Sequence, residues 1–66
     1  MFELDGATIR LLMVAQQMTL RDLSKASGIN PTTARKVMRG DVRTNAKTAG
    51  KIAQALGVSA DRILKE

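Results

Sequence analysis

The apolar residues between Thr19 and Gly40 fall at spacings that two short helices joined by a tight turn would bury on one side. Leu20, Leu23 and Ala26 precede the turn, Ile29 lies in it, and Ala34 and Val37 follow it. Start and stop signals bracket both helices. Thr19 is a helix N-cap with Asp22 three residues on, the arrangement of a capping box, and Met18 and Leu23 stand where a hydrophobic staple closes. That helix ends at Ser27-Gly28, because Gly28 can adopt the left-handed backbone that a helix C-terminus asks for. Asn30 then caps a second helix, and Pro31 takes its first position, where a missing N–H is harmless and the fixed φ is already helical.

The rest of the pattern is read in the same way. Met1 to Leu4 is a short apolar lead-in, and Asp5 with Gly6 opens a helix over roughly Ala7 to Gln17. Ile9, Leu12 and Met13 make one stripe of that helix. Leu11 and Val14 fall partly outside it, so the helix carries more apolar surface than one core face requires. A small bundle surrounding the helix on most sides would explain the surplus; a dimer contact made together with Phe2 and Leu4 is the alternative. After Gly40, the segment Asp41-Val42-Arg43-Thr44 reads as a loop, and Asn45 caps a helix from about Ala46 to Leu56 that Gly57 stops. Gly50 costs that helix about 1 kcal/mol relative to alanine, and close packing against another helix is the expected reason for it. Val58 and Ile63 flank a last cap at Ser59, giving a short helix from Ser59 to Leu64. The expectation is an all-α fold, five helices in a single domain over residues 1–66.

Composition removes most kinds of chemistry. The chain has neither cysteine nor histidine, so disulfides, thiolate nucleophiles, the usual zinc ligand sets and imidazole acid–base catalysis are excluded. No carboxylates stand at a catalytic spacing, and the expectation is a non-enzyme with no catalytic residues, metal, cofactor or small-molecule ligand. No apolar run approaches the roughly 20 residues of a membrane span, and the N-terminus lacks the pattern of a secretory signal. A soluble cytoplasmic protein without a membrane partner is expected.

Charge narrows the choice further. The net charge is +5, and its distribution says more than its sum. Arg35, Lys36, Arg39, Arg43, Lys47 and Lys51 stand against Asp41 alone, whereas the five cations elsewhere are balanced by five carboxylates. An excess confined to one third of the chain marks a polyanion partner. It begins inside the helix after Asn30, where Thr32, Thr33, Arg35, Lys36 and Arg39 are left outward. Short hydroxyls near a helix start and charged donors further along suit base edges and phosphates.

The spacing from Thr19 to Gly40 resembles the helix-turn-helix of the Cro and lambda-repressor-like family of DNA-binding regulators, and KIAQALGVSADRIL from Lys51 to Leu64 is similar to the ending common in that family. The resemblance implies a compact five-helix lambda-repressor-like domain whose second and third helices form the motif. It makes Asn30 to Arg39 the recognition helix, entering the major groove by its N-terminal end. Thr32, Thr33 and Lys36 then hold base-reading positions. Pro31 offers only an apolar contact there, such as a thymine methyl, and Arg35 and Arg39 reach either phosphate or a guanine edge. Phosphate contacts are implied at two helix starts, Thr19 with Leu20, and Asn45 with Arg43, Thr44 and Lys47 beside it. Two departures stand out. Leu20 replaces a frequent glutamine, which removes a side-chain contact but keeps the backbone N–H. Met13 and Met38 occupy positions where many members carry an arginine–glutamate pair, an exchange that apolar packing can compensate.

The function so implied is sequence-specific recognition of double-stranded DNA by a transcriptional regulator, a phage- or prophage-type repressor acting by operator occupancy as a homodimer. The alternative is a protein-interaction module, such as a small antitoxin or anti-repressor, whose DNA binding is secondary. Single-stranded nucleic acid and RNA fit less well, because their binders stack bases on aromatic rings and this chain has one phenylalanine and neither tryptophan nor tyrosine.

Overall fold

A computed structural model of the chain describes residues 2–39 and 43–65. Met1, the motif-closing Gly40 and the loop positions Asp41 and Val42 lie outside the described residues.

Four α-helices carry the fold. Helix α1 (Gly6–Ala15) starts where Asp5 accepts the Thr8 N–H at 3.2 Å. It stops two residues before the expected end, because Gln17 takes a left-handed φ of 55° and Met18 N–H donates back to Met13 O at 2.8 Å. Helices α2 (Leu20–Ser27) and α3 (Pro31–Arg39) are the pair expected from the apolar spacing, and α4 (Ala46–Leu56) follows. Asn45 caps α4 by accepting the Thr48 N–H at 2.8 Å, and Gly57, with φ of 71°, ends it.

The all-α, five-helix expectation needs two corrections. The last element is a single 3₁₀ turn, Ala60–Arg62, and the Ser59 hydroxyl makes no capping hydrogen bond to it. The lead-in and part of the presumed loop form a small antiparallel sheet instead: β1 (Phe2–Glu3) pairs with β2 (Arg43–Thr44), Phe2 opposite Thr44 and Glu3 opposite Arg43. On its other side the lead-in is held by the chain end. Leu4 bridges to Leu64, Asp5 N–H donates to Ile63 O at 2.7 Å and Lys65 N–H to Glu3 O at 2.8 Å. Two-residue strands show no alternation in a sequence, so hydropathy gives no sign of them.

The core is built from Leu4, Ile9, Met13, Leu23, Val37, Ile52, Leu56 and Ile63, with Ala49 and Ala53 where α4 packs closely. Leu4 is only 1% exposed, so it is a core residue and does not join Phe2 in a dimer contact. Met13 belongs to the core and Met38 packs against it, so the two methionines serve one apolar cluster. Arg10 adds a hydrogen bond from its guanidinium Nη1 to Met38 O at 3.2 Å, tying α1 to the end of α3.

Three further expectations fail for identifiable reasons. Ala26 is exposed and Ser27 takes the inward place, one turn after Leu23. Ser27 can do so because its hydroxyl donates to Leu23 O at 2.6 Å and accepts the Ile29 N–H at 3.4 Å, which satisfies a buried polar group. Gly50 is not in close packing: a Cβ placed there would meet nothing within 4 Å. Nor does the bundle surround α1, since Leu11 and Val14 are 71% and 74% exposed.

Candidate nucleic-acid interface

The turn between α2 and α3 sets the geometry of the site. At the start of α2, the Thr19 hydroxyl accepts the Asp22 N–H at 3.1 Å, and the Asp22 carboxylate accepts the Thr19 N–H at 2.9 Å. The capping box read from the sequence is therefore present in both directions. These hydrogen bonds from Thr19 hold the Asp22 carboxyl below its ordinary range, with smaller help from Lys25 and Arg21. At the other end Gly28 has φ of 72° and returns its N–H to Ser24 O at 2.9 Å, while Ser24 Oγ donates across the turn to Ile29 O at 2.7 Å. Asn30 Oδ1 then accepts the Thr32 N–H at 2.7 Å, and its carbonyl takes the first helical bond from Ala34 at 3.0 Å. These hydrogen bonds tie the end of α2 to the start of α3 through the turn.

Helix α3 buries Ala34 and Val37 and turns Pro31, Thr32, Arg35, Lys36 and Arg39 to solvent. Thr32, Lys36 and Arg39 share one face at four- and three-residue spacing. Pro31 and Arg35 line its edge towards α2, and Thr33 is half-buried beside the core face. Four of the five outward positions named from the sequence, Thr32, Arg35, Lys36 and Arg39, are thus exposed on α3, with Pro31 beside them.

The second group gathers at the start of α4. Arg43 and Lys47 are exposed on either side of Asn45. Asn45 uses its oxygen to cap Thr48, which leaves its amide N–H₂ as a donor. Thr44 differs from its neighbours: its side chain is 8% exposed and points into the fold opposite Phe2. Leu20 at the start of α2 is half-buried, with exposed Thr19 before it.

An open groove between α2 and α3 holds residues that the sequence reading leaves aside. Arg21, Ser24 and Lys25 of α2 face Pro31 and Arg35 of α3 across it, with Thr19 and Leu20 at its end. Arg21 and Lys25 stand four apart, a signal for one helix face, but both belong to the part of the chain where charges balance.

A helix-turn-helix family model matches residues 9–63. The chain belongs to the helix-turn-helix family, of the XRE and lambda-repressor-like kind. The resemblance read from the two motifs therefore holds across most of the domain, including the segment after α3. Two crystal structures of the clp gene regulator ClgR from Corynebacterium glutamicum are similar to it, with TM-scores of 0.72 and 0.74 and 28% identity in each case. Both matches cover 85% of this chain, and they cover 73% and 60% of the respective ClgR chains. No curated protein matches. Among the described residues no helix is long and apolar enough to cross a membrane.

Proposed function

We propose that this helix-turn-helix protein is a sequence-specific regulator of transcription that binds double-stranded DNA, a repressor of the phage or prophage kind acting by occupancy of its operator. The observation that carries the reading is the outward surface of α3, which has hydroxyls, cations and one proline but no carboxylate. Membership of the helix-turn-helix family and likeness to a gene regulator support it.

In this reading α3 lies in the major groove. Thr32, Thr33 and Lys36 read base edges, Pro31 meets a thymine methyl, and Arg35 reaches a guanine edge or a phosphate. Arg39 and the start of α4 hold the backbone, Arg43 and Lys47 by charge and Asn45 by its amide. Thr44 serves from inside, keeping β2 against β1 so that Arg43 is presented. Thr19 and Leu20 offer the hydroxyl and backbone of the α2 start. Affinity comes from counterions released by the cations, and specificity from α3.

The protein acts as a homodimer on two half-sites about one helical turn apart. The exposed Leu11 and Val14, which share a face of α1, and Phe2, which is also exposed, are the apolar surface left over for association. The same surface favours a second reading, a protein-interaction module such as an antitoxin or anti-repressor that covers α1 with a different chain.

Selection of bound duplexes from a randomised pool at near-physiological salt tests the proposal. An enriched inverted repeat is expected, its half-site spacing giving the dimer geometry. Steeply salt-dependent binding with no enriched sequence would refute the specific regulator and turn attention to a protein partner for α1.

A further inference from the structure

The segment before α1 lies outside the residues that match the family, 9–63, and so do Leu64 and Lys65. The fold nevertheless brings these two ends together beside β2. Lys65 N–H donates to Glu3 O at 2.8 Å and Asp5 N–H to Ile63 O at 2.7 Å, so Glu3 and Asp5 turn these backbone groups to the chain end. Successive residues of a strand present theirs to opposite sides, which leaves Phe2 to pair with Thr44 of β2. The strand is pinned to the core by Leu4, which is buried. On the same side of the strand as Leu4, Phe2 lines a shallow apolar hollow with Ala46 and Ala49 of α4, Ala60 and Leu64. The other side carries Arg43 opposite Glu3, whose carboxylate is 3.9 Å from Lys65 Nζ.

Arg43 and Thr44 stand between α3 and the Asn45 cap of α4, and β1 is the strand that pairs with them. Their backbone is held by β1 on one side and by the buried Thr44 side chain beneath. A cation on an unfixed segment has to be ordered when it grips an anion, and ordering one residue's backbone costs about tenfold in affinity. A strand that orders it beforehand removes that cost. We propose that Phe2 is a positioning residue for DNA binding: by pairing β1 with β2, and with its ring beside the first turn of α4, it holds Arg43 where it meets a phosphate. The proposal rests on the DNA-binding reading above and adds that affinity depends on a strand outside the residues matched to the family.

Two other roles for Phe2 make different predictions. A purely structural residue would lower stability and affinity together, whatever stands at position 43. A residue that serves only in the association of two copies would likewise act independently of Arg43. A positioning residue acts through Arg43 and has nothing left to do once that side chain is gone.

The test is a double-mutant cycle in affinity for the selected duplex, at several salt concentrations and well below the melting temperature of each variant. Phe2→Pro removes the N–H of the β1–β2 pairing, Phe2→Ala removes the ring alone, and Phe2→Leu keeps an apolar side chain; each is made with Arg43 in place and with Arg43→Ala. With Arg43 in place, Phe2→Pro is expected to weaken binding about tenfold and Phe2→Ala by a smaller factor, with Phe2→Leu restoring wild-type affinity. With Arg43→Ala, which itself flattens the log–log salt slope by about 0.9, all three should bind alike, the non-additivity of residues acting as a unit. Should Phe2→Pro fail to fold, the Phe2→Ala cycle decides alone. Equal losses in both backgrounds would overturn the proposal in favour of stability or association, and so would no loss in either. If Arg43→Ala bound the duplex as tightly as wild type, the positioning role would fall while the regulator stood. A wild-type chain without duplex affinity would sink both this role and the reading beneath it.

Discussion

Gly50 lies on the solvent side of α4, three residues ahead of Ala53 and two before Ile52, both buried, and nothing approaches the place of a Cβ. Glycine there only enlarges the entropy of the unfolded chain and weakens the helix. Gly50→Ala should therefore stabilise the protein by about 0.5–1 kcal/mol, seen as a rise in the melting temperature; a fall would mean that another chain packs on this face. The caps give a second prediction. Hydrogen bonds to Thr19 lower the Asp22 carboxyl, and those to Thr8 lower that of Asp5. A carboxyl depressed on folding contributes stability that is complete above its unfolded value, about 3.9, and is lost as the pH falls through the folded one. Urea midpoints should accordingly drop in acid below that value, and Asp22→Asn should narrow the gap between neutral and acid midpoints. An unchanged gap would show that the box contributes nothing by its charge. Caps of this kind are legible in a sequence because their signals are local, whereas the exchange of Ala26 for Ser27 on the buried side is not. It depends on whether a hydroxyl finds partners at Leu23 and Ile29, which only the folded turn supplies.

Among the elements, the joint between α1 and α3 shows what the domain uses in place of a common family ion pair. Met13 is in the core, Met38 packs against it, and Arg10 reaches Met38 O beside them. The flexible thioether suits such an irregular junction. Met38→Glu would set a carboxylate against apolar neighbours, beside an Arg10 guanidinium that already donates to the backbone carbonyl there. A loss of about 1–3 kcal/mol is expected, which for a domain of this size lowers the melting temperature by roughly 4–8 °C per kcal/mol. A melting temperature within a degree or two of wild type would remove Met38 from the junction. Helices α2, α3 and α4 could be bounded closely from the chain because each has a cap at its start and a periodic apolar face. β1, β2 and the 3₁₀ turn could not. The strands rest on partners distant in sequence, Phe2 with Thr44 and Glu3 with Arg43 and Lys65, and short elements of that kind leave no period to read.

Over the whole molecule, the charge excess sorts mainly onto two places, the outward face of α3 and the start of α4, with Lys51 a turn further along α4, and the two places should do different work. Lys36 stands in line with Thr32 and Arg39 on the helix proposed to meet base edges; Lys47 stands beside the Asn45 cap, where the helix dipole favours an anion. Both carry the same charge, so their loss removes the same Coulomb attraction at long range. The difference lies at contact. A cation bonded to a guanine edge loses its partner when the base changes, whereas one bonded to phosphate meets the same group in every sequence. Lys36→Ala should thus relax the preference at one position of the selected site, with a discrimination loss of about 1–3 kcal/mol. Lys47→Ala should weaken selected and scrambled duplexes alike and reduce the salt slope by about 0.9. Binding curves for the two duplexes at several salt concentrations separate these cases. If both variants lowered affinity equally on every sequence, α3 would be acting as one more phosphate-binding surface, and specificity would have to come from the deformation of the duplex rather than from its base edges.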